Sequence, residues 1–448
     1  MMKSKKLSLL EVLGLSVAML APTGAMAFNT AGAVTNSGIV APLGFLLAGL
    51  GILFVGISFV ELGRKIPGEG SAYAYNAKAL GEKTGFISGW LLVLTYTTFA
   101  FSSSAVVGNF LDVFFRHFNI IIPVPLYVIF VLLLGGTLSH KGIEFSTRFA
   151  LVLELFAVGA LVILTLIIWL KGGDAGLSTK PLNPANGTLS GIGAGMIFAL
   201  MSFAGFEGSA TIAPRAKNPA KAITTAILGA VIFAMVFYFT VTYTEIIGFG
   251  TANIGKMQNS TAPLNYLAIR YVGSYMAIFI DFASVTSYFA CYFGALNAGA
   301  FMLEALSKNG YLMPWLGDLR GEKRTPVHAL DLITVLALIF YAIVGIGFKV
   351  SAGNYYNYFG TIGVIALLLV YVLVNTGAIA YFRKQKQGRF KHLLAPIIGI
   401  LVMIFPIYSN LWPIPAWPMN TFPYIVFIWL ILGFFVPQKK AKVKENTK

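Results

Sequence analysis

Two apolar stretches of this sequence each carry helix-breaking residues near their middle. The first reads Leu20-Ala21-Pro22-Thr23-Gly24-Ala25, and the second reads Ser202-Phe203-Ala204-Gly205-Phe206-Glu207-Gly208-Ser209. Pro22 removes a helix donor and clashes with the preceding turn. Gly24, Gly205 and Gly208 free the backbone. A helix that stops and restarts here offers N–H groups and a positive dipole end to a carboxylate. The other half-helix end offers carbonyls to an ammonium group or a cation. An amino acid zwitterion needs both together. Thr23, Ser202 and Ser209 add hydroxyls to this candidate site. Glu154, Glu207 and Asp281 are carboxylates set in apolar runs, and such groups default to functional hypotheses in a membrane. Glu245 and Asp331 fall about one turn inside their runs and read as structural; Glu11, Glu61 and Glu304 read as helix-end residues that snorkel or pair with basic loops.

A membrane is required to position these residues. The chain of 448 residues is 57% hydrophobic and 11% charged, against about 25% charged in a soluble domain. Its mean hydropathy is +0.80. Runs long enough to span a bilayer, about 20 residues each, fall near 9–35, 42–62, 86–113, 121–139, 149–170, 190–213, 222–247, 273–305, 327–347, 355–382, 393–410 and 421–436. They predict an all-α integral membrane protein of about twelve helices with no sizeable soluble domain. The segment up to Ala27 imitates a secretory signal, but Glu11 interrupts its apolar core and the apolar pattern continues toward Val34, so it reads as a retained first helix. The net charge of +16 follows loop position rather than forming a nucleic-acid surface. Of 32 Lys and Arg residues, only Arg116, Lys171, Lys180, Lys256, Arg270 and Lys349 fall in the loops opposite the N-terminus. This asymmetry predicts two cytoplasmic termini in the cell membrane and contact with anionic lipid. Cys291 is the single cysteine, which excludes an intrachain disulfide and a cysteine metal site.

The stretch Glu61-Leu62-Gly63-Arg64-Lys65-Ile66-Pro67-Gly68-Glu69-Gly70-Ser71-Ala72-Tyr73-Ala74-Tyr75, followed by Gly85-Phe86-Ile87-Ser88-Gly89-Trp90, resembles the amino acid–polyamine–organocation permeases, in their bacterial amino acid branch. Phe203 to Glu207 with Lys217-Asn218-Pro219, and Leu296-Asn297-Ala298 through Asn309-Gly310 to Thr325-Pro326, are similar to the same family. The resemblance covers roughly residues 8–385 and weakens over the last two spans. It implies a leucine-transporter-type core of two inverted five-helix repeats, 1–175 and 186–385, followed by two further helices and a basic tail in 386–448. It places substrate between helices one and six, at Ala21, Pro22, Thr23, Gly24, Ala25, Ser202, Phe203, Ala204, Gly205 and Phe206. Tyr96, Thr97, Ser102, Ser103, Tyr355 and Tyr356 become wall candidates, with Phe203 or Phe206 as an aromatic gate. Many relatives carry a Lys near Glu154, standing in for a sodium ion. A Glu there carries a proton or ligates sodium instead, which makes Glu154, with Glu207, Ser284, Thr286 and Ser287, the candidate coupling set. The bland alternative for Glu154 is a pair with Arg148 or a helix end. Three departures mark a divergent branch: Pro214-Arg215 in place of an acidic pair, Phe301 in place of an arginine, and Pro22-Thr23-Gly24 in place of a glycine-rich break.

The function expected is secondary active transport of amino acids by proton-coupled symport or exchange, sodium being the other coupling ion. An amine or polyamine carrier, or an amino acid/amine antiporter, is the alternative, and a channel or a non-transporting sensor is more remote. No nucleophile–base set, phosphate loop or cofactor motif points to an enzyme or an ATP-driven pump. The expected partners are a small substrate, an ion and lipid, with the protein a monomer or homodimer.

Overall fold

A computed structural model describes residues 8–66, 72–141, 147–207, 219–321 and 324–436. Among the described residues every named element is helical, and none is a strand. In chain order the helices are α1 (Leu9–Met19), α2 (Pro22–Ser37), α3 (Ala41–Lys65), α4 (Ala72–Leu80), α5 (Glu82–Arg116), α6 (Val124–His140), α7 (Thr147–Leu170), α8 (Leu189–Phe203), α9 (Pro219–Thr224), α10 (Ala230–Phe249), α11 (Ile254–Gln258), α12 (Pro263–Tyr271), α13 (Ser274–Lys308), α14 (Val327–Phe340), α15 (Ala352–Lys384), α16 (Leu394–Ser409) and α17 (Phe422–Phe435). Among the described residues, seven helical stretches are long and apolar enough to cross a membrane, and four shorter apolar helices accompany them.

The longest helices form the spine. At 1.5 Å per residue, the 35 residues of α5 and of α13 each reach roughly 50 Å, well beyond the ~30 Å hydrocarbon core. Helix α5 lies between α13 and α15, while α2 packs on α8. Small residues permit these approaches. A Cβ added at Gly32 would meet the Phe198 ring at 2.6 Å, and one at Gly195 would meet Ala33 O at 3.0 Å. Such small-residue contacts replace the hydrophobic drive that lipid does not supply. Trp90 on α5 and Trp429 on α17 stack at 4.2 Å, and each indole donates to the other's carbonyl.

Two apolar helices are short and end in irregular backbone. Helices α1 and α2 have 11 and 16 residues, so neither alone spans the core at 1.5 Å per residue. The interruption lies at Leu20-Ala21, earlier than the Pro22–Gly24 expected from sequence. Ala21 takes a left-handed conformation, φ 45° and ψ 56°, and Pro22 is the first residue of α2. Proline fits there because the first helical position has no hydrogen bond to lose. Helix α8 has 15 residues and ends at Phe203. Ala204 and Gly205 turn, with Gly205 at φ 99°, and Phe206-Glu207 begin a further short turn. Gly208, Ser209, Pro214-Arg215, Lys217-Asn218, Pro67–Ser71 and the tail Lys439–Lys448 lie outside the described residues, as do the side chains of Glu11 and Arg148.

Candidate functional site

The start of α2 accounts for its own backbone donors. Pro22 has no N–H. The Thr23 N–H donates to Glu154 Oε1 at 2.7 Å, and the Gly24 N–H donates to Ser287 Oγ at 3.1 Å. The Ala25 N–H closes the first helical bond, onto Ala21 O at 3.1 Å. Both donors left over by the helix start are therefore taken by side chains from α7 and α13. The carboxylate sits at the positive end of the α2 dipole, where an anion is stabilised. Glu154 is 7% exposed. The Ser287 and Thr23 hydroxyls both lie beside its carboxylate. The expected docking position for a substrate carboxylate is occupied, in this conformation, by the protein's own carboxylate. Gly24 is needed here for space: a Cβ would meet Ser287 Oγ at 3.0 Å and the Tyr288 ring at 3.2 Å.

The end of α8 faces the same region. Tyr238 on α10 donates to Ser202 O at 2.9 Å, and its hydroxyl lies 3.5 Å from Leu20 O. One phenol thus gathers the carbonyl ends of α1 and α8, which carry the negative poles of their dipoles. Tyr238 and Cys291 both lie close to Glu154. Beside them runs a directed hydrogen-bond chain. Tyr288 donates to Tyr356 at 3.5 Å, Tyr356 to Asn29 Oδ1 at 2.5 Å, Asn29 to Ser202 Oγ at 2.8 Å, and Ser202 to Phe198 O at 3.1 Å. The chain crosses α13, α15, α2 and α8, and every oxygen in it is buried.

The expected residues divide accordingly. Pro22, Thr23, Gly24, Glu154, Ser202, Ser287 and Tyr356 belong to this region. Ser284 is buried but bonds its own helix at Ile280 O. Thr286 does not join: it is only partly buried and bonds Ala283 O at 2.9 Å. Its neighbour Ser287 points inward, and adjacent helix positions do not share a face. Thr286→Val is therefore expected to leave substrate exchange within about twofold of wild type, whereas Ser287→Val, which removes a donor's partner, lowers it several-fold; exchange assays in liposomes check both.

Glu207 forms a separate centre. Tyr371 donates to its Oε2 at 3.0 Å, and Tyr96 lies close by. Phe206 packs against Phe59 and Tyr371, with centroids 5.5 Å away in each case. Phe203 is fully buried and meets the Tyr238 ring edge-on at 5.0 Å. Ser102 bonds Phe99 O and borders Gly360 beside Met201, which brings α5, α15 and α8 together. Tyr355 packs its ring on Tyr341, and its hydroxyl is buried without a partner.

Other carboxylates tie helices together. Asp281 receives His117 at 2.8 Å and Asn265 at 2.5 Å. Glu61 is clasped by Arg64, Lys391 and His392, and Glu304 pairs with Lys308. His140 and Asp331 join α6 to α14 at 2.7 Å. Asn29, Tyr238 and Tyr288 were not foreseen. A lone amide within an apolar span was the available signal for Asn29, because such a group in lipid needs an interhelical partner.

Apolar helices packed around buried polar residues make a multi-pass membrane protein, and the family match below makes it a transporter rather than an enzyme. The amino acid permease family matches residues 7–447, and the chain belongs to it. It is 24% identical to the branched-chain amino acid permease BcaP of Lactococcus lactis subsp. cremoris, over 82% of this chain and 83% of that one. It is 22% identical to the methylthioribose transporter of Bacillus subtilis, over 97% and 92% of the two chains. It is 24% identical to the low-affinity putrescine importer PlaP of Escherichia coli K12, over 89% and 87%.

Proposed function

We propose that this protein is a secondary active transporter of amino acids in the cytoplasmic membrane, coupled to protons through Glu154. In this reading twelve helices cross the bilayer with both termini inside. Segments 1–175 and 186–385 form the inverted repeats, and 386–448 supplies the last two helices and the tail. Substrate lies between the α1–α2 interruption and the end of α8, with its ammonium toward the Leu20 and Ser202 carbonyls.

The observation that carries this reading is the Thr23 N–H to Glu154 bond of 2.7 Å. While ionised, Glu154 caps α2 as an internal anion. A protonated carboxyl is a weaker acceptor, because charge-assisted hydrogen bonds are roughly twice as strong as neutral ones. Proton uptake thus loosens Glu154 from Thr23 and leaves the α2 N-terminus to the substrate carboxylate. One proton and one substrate then replace a single internal contact, which links their movements. Sodium would instead need Glu154 ionised, with Ser287 beside it.

A second reading has a specific observation behind it. If Glu154 never leaves Thr23, the α2 N-terminus has no place for a substrate carboxylate, and the clustered carbonyl ends favour an amine or polyamine. The names of the relatives, which include a branched-chain amino acid permease and a putrescine importer, fit both readings. A radiolabelled counterflow screen of amino acids and amines at two pH values, with and without sodium, separates them. Exchange of zwitterions that strengthens at acid pH supports the first reading. Exchange confined to amines supports the second, and a conductance without saturable counterflow overturns both.

A further inference from the structure

A second carboxyl grips α2 further along its length. Glu245, on α10, is 1% exposed. Its Oε2 lies 2.7 Å from Thr30 Oγ1, while its Oε1 is buried with no hydrogen-bond partner. The same Thr30 hydroxyl lies 3.0 Å from Met26 O, four residues back on its own helix. A threonine hydroxyl has one proton to give and two lone pairs to receive with. That proton serves one contact at a time: it goes either to Glu245 at 2.7 Å or to Met26 O at 3.0 Å, and in the second case the 2.7 Å contact is satisfied only by a carboxyl that carries a proton.

The surroundings favour the second case. Helix α2 contributes no ionisable side chain. Among the described residues no basic side chain pairs with Glu245. From the elements around α10, Arg270 is paired with Asp174, Lys171 donates to Tyr271 O, Lys256 is exposed, Glu154 is bound to Thr23, and the charges of α3 cluster at Glu61. The neighbouring Thr242 hydroxyl turns to Met26 Sδ at 3.9 Å. An ionised carboxylate placed here would be buried, unpaired and held by one bond, and such a group takes up a proton instead.

We propose that Glu245 is a second protonation site, which holds its proton while α2 and α10 are packed as seen here. The protonation rests on the burial of Glu245 and its lack of a cationic partner; its use in the transport cycle rests on the carrier reading above. Thr23 and Thr30 are two helical turns apart on α2, so Glu154 and Glu245 hold that helix at two heights. Any movement of α2 away from α10 would open Glu245 to water and let its proton leave.

The test needs no substrate, so its outcome is independent of the transport reading. The infrared carbonyl stretch of a protonated carboxylic acid is compared at neutral pH between purified Glu154→Gln protein and the Glu154→Gln, Glu245→Gln double variant. The expected result is loss of one acid band. An acid region identical in the two proteins overturns the proposal. Should the double variant fail to fold, Thr30→Val serves in its place, because removing the hydroxyl partner shifts the frequency of that band. Acid bands that do not move in Thr30→Val also overturn the proposal. Sodium at Glu245 would require an ionised carboxylate, and a missing acid band counts against protonation equally.

Discussion

Glu154→Gln is expected to abolish accumulation driven by a pH gradient while leaving substrate counterflow close to wild type. The amide has nearly the shape of the acid, and its carbonyl still accepts from the Thr23 N–H, so the α2 start keeps a cap. What it lacks is a titratable proton and the charge that opposes the substrate carboxylate. Accumulation in liposomes with an imposed pH gradient should fall by at least about tenfold, equivalent to roughly 1.4 kcal/mol of lost coupling. Counterflow, which dissipates no gradient, should stay within about threefold. Gradient-driven accumulation that survives in Glu154→Gln would show that Glu154 is not the coupling group. Loss of counterflow for amines, with none gained for zwitterions, would favour the amine reading, since Glu154 would then be the substrate's counter-charge.

Asn29→Leu is the second large effect. Asn29 accepts from Tyr356 at 2.5 Å and donates to Ser202 Oγ at 2.8 Å. It is therefore the joint between α2, α15 and α8. Leucine has a similar volume but makes neither bond, and it strands the Tyr356 hydroxyl in a buried position. Hydrogen bonds between membrane helices average about 0.6 kcal/mol and reach about 1.7 kcal/mol. Losing two therefore costs roughly 1–3 kcal/mol, a moderate loss of stability. The consequence for transport is larger, because Ser202 O and Leu20 O lie beside the Tyr238 hydroxyl in the same few ångströms. Exchange should fall by more than about tenfold while the solubilised protein still unfolds cooperatively on heating. Tyr356→Phe, which removes only one of the two bonds, should fall between wild type and Asn29→Leu. Equal exchange in all three proteins would separate this hydrogen-bond chain from the site.

The helix ends near Leu20 and Phe203 are legible in the sequence because they rest on local chemistry. Pro22 and Gly205 each bias the local backbone away from a continuous helix. The error of two residues at the first break has a local cause as well. Proline at the first helical position is favourable, so Pro22 marks where α2 begins rather than where the chain is irregular. The irregular residue is Ala21, whose positive φ no side-chain type announces. Glu154 was recognisable as an expensive carboxylate, but its partner lies 131 residues away, and only packing of α7 against the α1–α2 break brings the two together. Thr286 and Ser287 stand side by side in the sequence, but a helical step of about 100° per residue turns one of them away. Glu245 looked structural because it stands near the end of its run. Its burial against Thr30 arises from the packing of α2 on α10, which the sequence of neither helix contains.

Cys291 is the only cysteine in the chain, which allows the central claim to be tested at a single position. Ala204 lies in the turn that follows α8 and is half-buried, next to the carbonyl end proposed to face the substrate. In a Cys291→Ser background, Ala204→Cys provides a lone thiol whose alkylation rate by a small membrane-permeant maleimide can be followed. The measurement is that rate with and without a substrate that the protein exchanges by counterflow. A site between the α1–α2 break and the end of α8 predicts protection by saturating substrate of about tenfold or more, and none by a compound that is not exchanged. An exchanged substrate that leaves the alkylation rate unchanged would contradict a binding site at these interrupted helices.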